Sequence, residues 1–265
     1  MGVQSPWGSS IGACCACVGT RIQVRWKVLT DEADATPSRR LKESILGWGA
    51  SLVGFADLGG VVPAIALRWP RAVSIAVALG PHTIDEVRDG PTADYYAEYN
   101  RVNRALNEIA GRTAEAIYSL GYHAEPFPAT IPEGREADEW VKTLSVSFQH
   151  KTAATRGGLG WIGKNALLVT PTLGPRVRLA TVLTDMPLMV GEPVTVSRCG
   201  KCRACARACP AGAIRGQEWE AGLAREFLVA ARLCYDTARR LLLERVGTEN
   251  AVCGVCVAVC PVGRP

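Results

Sequence analysis

Four cysteines, Cys199, Cys202, Cys205 and Cys209, run as C-x2-C-x2-C-x3-C-P, and Cys253, Cys256 and Cys260 follow as C-x2-C-x3-C-P. Thiolates at this spacing suit one chemistry above others. Three on a tight turn take three corners of a cubane [4Fe–4S] cluster, and the fourth, on the next turn, reaches a second cluster. Pro210 and Pro261 fit that pattern. The second run lacks its first cysteine, and Cys234 is the only cysteine between the two runs. The spacing therefore predicts Cys199, Cys202, Cys205 and Cys260 on one cluster, and Cys209, Cys234, Cys253 and Cys256 on the other. Structural zinc is a rival, but it takes four ligands per site, usually as two C-x2-C knuckles, and does not call for a third and fourth cysteine in series. Disulfides between cysteines two residues apart close very small loops and add little to a chain long enough to build its own core.

The second segment with chemical potential is Arg156-Gly157-Gly158-Leu159-Gly160-Trp161-Ile162-Gly163-Lys164-Asn165. Glycines at this density allow a close backbone approach and positive φ, which either a cofactor-cradling loop or a structural turn requires. It is not a P-loop, because Gly163-Lys164 is followed by Asn165 instead of Ser or Thr. Nor is it a dinucleotide fingerprint, since no strand leads directly into it.

The elements that must position these residues are legible from periodicity. Leu41, Ile45 and Leu46 share a helical face that ends at Gly47 to Gly49, and a short strand over residues 51–55 follows. Residues 71–79 are short, β-branched and apolar, and predict a buried strand. Val102, Leu106, Ile109, Ala110, Ile117 and Leu120 recur at helical steps, predicting a long helix over 94–120 that stops at Gly121. A strand over 122–127, a helix over 136–155, and strands over 166–170 and 176–183 joined by a turn at 172–175 complete an α/β layered domain. A helix over 219–245 is expected to carry Cys234 in its middle. The boundaries read as an extension over 1–38, an α/β cofactor-binding domain over 39–190 and a ferredoxin-like two-cluster domain over 191–265.

The chain has 265 residues, 48% of them apolar, which is a globular composition with room for one large and one small domain. Its least polar stretch, 52–67, is broken by Asp57 and Pro63, so no membrane span is expected. The formal charge of +5 falls to roughly +1 once eight thiolates hold two clusters, which gives little support for a large nucleic-acid footprint. Cys14, Cys15 and Cys17 sit among small residues in a segment without the apolar core of an export signal, so 1–38 reads as a disordered extension instead of a leader or a third metal site. Cluster ligation and the missing signal together predict a cytoplasmic, reducing location.

The order His150-Lys151-x-Ala153-Ala154-x-x-Gly157-Gly158-Leu159-Gly160-Trp161-Ile162-Gly163-Lys164-Asn165, then Leu183-Thr184-Asp185, then Cys199-Gly200-x-Cys202 onward, resembles the epoxyqueuosine reductase family, which is related to the corrinoid reductive dehalogenases. The likeness runs from about Leu41 to Pro261 and includes Cys234. It implies a nitroreductase-like, cobalamin-reductase-like α/β domain holding base-off cobalamin, with the loop Gly158, Leu159, Gly160, Trp161, Ile162, Gly163, Lys164 and Asn165 against the corrin. It also implies two [4Fe–4S] clusters that feed the corrinoid, an external one-electron donor such as ferredoxin or flavodoxin, and a small or modified-nucleoside substrate. Two departures stand out. Leu144 occupies the position of the proton-donating Asp of that family, and the chain stops four residues after Pro261, where tRNA-acting members carry a helical-repeat extension. The second weighs against tRNA.

A reductase of this kind needs a proton. His150 and Lys151, just before the loop, can supply or relay one, the alternative being that both are solvated helix residues. By likeness to the dehalogenases, which use a Tyr donor, Tyr95, Tyr96 and Tyr99 form a second set, with Tyr96 and Tyr99 on one helix face. Trp161 is suited to stacking on a corrin or flavin, or to closing a core. The alternative function is a flavin or corrinoid reductase, an electron-transfer protein without its own organic substrate.

Overall fold

A computed structural model describes residues 32–60, 68–130, 135–144, 146 and 148–264. The three N-terminal cysteines and the extension expected there lie outside the described residues up to Asp31, while the remainder of that segment, from Glu32, is helical. Glu32–Pro265 forms one compact unit.

In chain order the unit contains α1 (Glu32–Gly47), β1 (Leu52–Asp57), β2 (Arg71–Ala78), α2 (Pro81–Asp85), α3 (Ala93–Ser119), β3 (Ala124–Phe127), α4 (Arg135–Thr143), α5 (His150–Arg156), β4 (Trp161–Ile162), β5 (Leu168–Val169), β6 (Val177–Thr184), α6 (Ala204–Ala208), α7 (Ala231–Val246) and α8 (Val255–Ala258). The main sheet has the order β1-β2-β6-β3 and every pair is antiparallel. Strand alternation sends Val53, Phe55, Val73, Ile75, Val77, Ala180 and Val182 to one face, where they pack with Val102, Leu106, Ile109 and Ile117 of α3 and with Leu41 and Ile45 of α1. The other face presents Ala56, Ala72 and Leu183 to Ala153 of α5 and to Phe148. Helices on both faces of one antiparallel sheet make the layered α/β arrangement that the alternation of elements predicts.

The long helix α3 starts where Thr92 accepts a hydrogen bond from the Tyr95 amide, a standard N-cap, and ends before Gly121 at φ +86°. Two expected helices are shorter in the structure. The one expected over 136–155 is broken into α4 and α5 because Leu144 adopts φ +52°, and the run Leu144-Ser145-Val146-Ser147 has weak helix propensity. The one expected over 219–245 begins only at Ala231, since Gly222 takes φ +95° and residues 214 and 229 pair as a β-bridge. Cys234 therefore sits in the first turn of α7 and not in mid-helix.

The cysteine-bearing segment is not a separate globule. Leu242 of α7, Val252, and Val257 and Ala258 of α8 belong to the same buried cluster as α1, α3 and the sheet.

Candidate active site

All eight C-terminal cysteines are free thiols, with Cys202 and Cys234 exposed and the rest partly buried. Cys199, Cys202, Cys205 and Cys260 line one small cavity of about 50 Å³, together with Lys164, Asn165 and Arg198. Cys234 has its thiol pushed up by burial and then by Cys209 and Cys253, and Cys256 by burial and then by Cys253, Cys234, Cys205 and Cys209. The second four thus lie within electrostatic reach of one another, with Cys205 and Cys256 where the two groups meet. Burial, then Cys199 and Cys260, push Cys205 up to about 11. As bare thiols these groups resist ionising together. A polycationic iron core reverses that, so the donor set fits the clusters its spacing predicts.

The glycine loop docks onto these thiols. It leaves α5, runs through β4, turns at Gly163 to Ala166 and returns as β5, a two-stranded hairpin. A Cβ at Gly54 of β1 would stand 2.6 Å from the Gly157 carbonyl, so backbone lies directly on backbone there, and a Cβ at Gly160 would collide with the Val169 carbonyl. At its tip the buried Lys164 donates from Nζ to the Gly200 carbonyl at 2.6 Å, between Cys199 and Cys202, and Asn165 donates to the Cys256 carbonyl at 3.5 Å. Arg176, also buried, donates to the carbonyls of Cys260 and Val262, each at 2.7 Å. Three side chains from the layered part thereby hold the cysteine loops.

A larger cavity of about 580 Å³ opens on the α5 side of the sheet. Lys151, Thr152, Thr155 and Arg156 of α5 line it, with Ile162 and Ala166 of the hairpin and, from the cysteine side, Trp219, Leu223, Arg225 and Leu228. Its size is that of a cofactor or ligand site. Ile162, Ala166 and Leu228 also form an apolar cluster against which Cys205, Cys209 and Cys256 pack.

Of the residues expected to supply a proton, only Lys151 reaches this cavity. Its Nζ donates to the Ala166 carbonyl at 2.7 Å, and burial, followed by the Arg225 charge, pushes it down to about 8. His150 points into the sheet instead. Its Nδ1 lies 2.9 Å from Thr181 Oγ1 and its Nε2 3.1 Å from the Pro128 carbonyl, so Nε2 carries the proton, and burial pushes its pKa down to about 4. Neither residue is a solvated helix position. Tyr95 is buried in the core on α3, Tyr99 lies under the Arg178 guanidinium at 4.2 Å, and Tyr96 meets Asn250 at 3.4 Å. All three belong to the helix on the opposite face of the sheet from α5. Within the loop, Ile162 faces the large cavity, Lys164 and Asn165 face the cysteine cavity, and Trp161 is buried beneath Arg198. Leu144 offers its carbonyl to Arg225. Sequence reasoning missed Arg156, Arg225 and Trp219. The latter two fall where a continuous helix was expected, and only the turn-forming Ala221-Gly222 could have signalled otherwise.

Comparison with known proteins adds ancestry to this geometry. Residues 198–263 match the family described as 4Fe-4S double cluster binding domain. A tetrachloroethene reductive dehalogenase of Desulfitobacterium hafniense is 29% identical over 227 residues, covering 83% of this chain and 38% of the relative. An epoxyqueuosine reductase of Listeria monocytogenes is 33% identical over 112 residues, covering 42% of this chain and 28% of the relative. The chain is a homologue of both. Solved structures of the two reductase families share its fold: a dehalogenase structure described as suggesting a mechanism for B12-dependent dehalogenation superposes with TM-score 0.63 at 21% identity over 91% of this chain and 33% of that one, and an epoxyqueuosine reductase with TM-score 0.58 at 18% identity over 87% and 66%. The chain spans about a third of the length of the curated reductases it matches. Among the described residues, no helix is long and apolar enough to cross a membrane.

Proposed function

We propose that this chain is an iron–sulfur oxidoreductase that passes electrons from two [4Fe–4S] clusters to a corrinoid held in the large cavity, for reduction of a small or modified-nucleoside substrate. The observation that carries the reading is that Ile162, Ala166 and Leu228 line the cavity and belong to the apolar cluster against which Cys205, Cys209 and Cys256 pack. Cys199, Cys202, Cys205 and Cys260 hold one cluster, and Cys209, Cys234, Cys253 and Cys256 the other. The layered part over 39–190 is nitroreductase-like, which the helix-covered antiparallel sheet supports, and the clusters occupy 191–265. Exposed clusters call for a reducing, cytoplasmic setting.

When bound, cobalamin supplies a redox-active cobalt able to deliver two electrons to an electrophile. The chain's own residues do the rest. Ile162, Leu223 and Leu228 offer apolar wall, and Gln149, Thr152 and Arg156 offer donors to the amide-rich rim of a corrin. Lys151 holds a proton at Nζ facing the cavity, and a depressed ammonium is a competent general acid near neutrality. The proton role shared in the sequence between His150, Lys151, Tyr96 and Tyr99 is thus assigned to Lys151. Anaerobic reconstitution with iron, sulfide and cobalamin tests the reading: a base-off corrinoid spectrum is expected, and no measurable corrinoid affinity overturns it.

One observation favours the second reading, a flavin or corrinoid reductase without its own organic substrate. Leu144 stands in place of a donor Asp, and no carboxylate lines the cavity among the described residues. Direct turnover of an organic substrate without a partner protein excludes it.

A further inference from the structure

The run from Arg198 to Gln217 carries five cations, Arg198, Lys201, Arg203, Arg207 and Arg215, with no acidic and no aromatic residue. All five are exposed, and none forms an ion pair with a carboxylate among the described residues. Lys201 and Arg203 flank Cys202, the exposed thiol of the Cys199, Cys202, Cys205 and Cys260 set, Arg198 lines the same small cavity as Cys202, Arg203 donates to the Arg215 carbonyl, and Arg207 lies on the short helix that Arg203 opens. The face around Cys234, the other exposed thiol, is different in kind. There Arg232 pairs with Asp236, Arg239 with Glu249 and Arg240 with Glu244. The two exposed ligands therefore sit in opposite electrostatic settings, one on an uncompensated positive surface and one on a neutralised one.

We propose that the Arg198, Lys201, Arg203, Arg207 and Arg215 surface docks a small acidic one-electron carrier protein, and that electrons enter the chain through the Cys202 edge of that cluster. The inference rests on the cluster assignment above. Uncompensated charge of one sign costs self-repulsion in the free protein and is answered by a partner of the opposite sign, with a gain mainly in association rate. In the transfer, one electron leaves the carrier's reduced flavin or iron–sulfur centre, oxidising it by one, and takes a [4Fe–4S]2+ core to [4Fe–4S]1+. No bond breaks and no proton is required. A nucleic acid is the other polyanion such a surface could meet. Single-stranded and loop RNA is gripped by cations interleaved with stacking aromatics, and this run has no ring.

The test uses the full chain with clusters reconstituted anaerobically, and follows cluster bleaching by stopped flow. Reduced flavodoxin is the carrier, and photoreduced deazaflavin is a small neutral reductant for comparison. The double variant Arg203→Glu/Arg207→Glu is set against Arg239→Glu/Arg240→Glu, which changes net charge equally on the Cys234 face. Reduction of the wild type by flavodoxin should slow as salt rises. The Arg203/Arg207 variant should lose about tenfold or more of that rate at low salt, together with its salt dependence, while its deazaflavin rate and iron content stay at wild-type values and the control pair behaves as wild type. Equal loss in both double variants means net charge alone matters, and overturns the docking site. So does an unchanged flavodoxin rate, or a loss confined to binding of an RNA hairpin. If the Glu pair loses iron, Arg203→Gln/Arg207→Gln carries the same comparison. Absence of clusters in the wild type sinks the cluster assignment, whereas full clusters with an indifferent Arg203/Arg207 surface sink only the docking site.

Discussion

At the scale of single residues, the large cavity owes its charge to cations whose carriers are tied down by backbone carbonyls. Lys151 is the one whose state matters for chemistry, because the ordinary lysine value of 10.5 falls to about 8. Unfolded, the side chain binds its proton up to the higher value, so folding is penalised below about pH 8 and the penalty fades as pH rises from 8 to 10.5. Competitive acylation read by mass spectrometry should titrate Lys151 with a midpoint near 8, against values above 10 for exposed lysines. An ordinary midpoint contradicts the burial argument. Arg176 offers a second test, since its guanidinium satisfies the carbonyls of Cys260 and Val262. Arg176→Met leaves two acceptors unpaired, with an expected cost of roughly 2–4 kcal/mol, and paramagnetic resonance should show selective damage to the cluster that Cys260 serves. Equal damage to both clusters argues against the ligand division.

At the scale of elements, the β4–β5 hairpin is where sequence and structure must be read together. The glycines of 157–163 announce close approach, but to what is undecided by spacing alone. The neighbours turn out to be the chain's own backbone: Gly157 lies on Gly54 of β1, and Gly160 on Val169 of β5. Gly160→Val should therefore destabilise the unit by about 1–3 kcal/mol or more through overpacking, visible as a lower denaturant midpoint with weakened cluster retention. Loss of corrinoid affinity with stability and clusters intact would point to a loop built for ligand contact alone. Helix limits were the other weak point. Periodicity located α3, β1, β2 and β6 closely, because burial on one face imposes a pattern, whereas α1 begins at Glu32, inside the expected extension. It overran the ends of α4 and α7, where single residues with positive φ, Leu144 and Gly222, interrupt the helical pattern.

At the scale of the whole molecule, the layered part and the cysteine segment share one core through Leu242, Val252, Val257 and Ala258. Cluster loss should then be felt throughout. Removal of iron by a chelator is expected to lower the unfolding temperature of the entire unit, and bleaching near 420 nm should coincide with loss of far-ultraviolet dichroism in one transition. Two separated transitions would show independently folding parts. What the sequence determined by itself was whatever depends on residue type at short spacing: the double-cluster cysteine pattern, the amphipathic α3, the buried strands, and a likeness to two reductase families carried by contiguous motifs. Tertiary structure alone decided which side chains hold the cysteine loops, Lys164, Asn165 and Arg176. It also put Lys151 at the large cavity while its neighbour His150 turned under the sheet, and left Tyr96 and Tyr99 on the opposite face. These outcomes depend on contacts between residues as far apart in the chain as Lys164 and Gly200, or Arg176 and Cys260. Chain spacing encodes local geometry, and long-range pairing emerges only when several faces are buried at once.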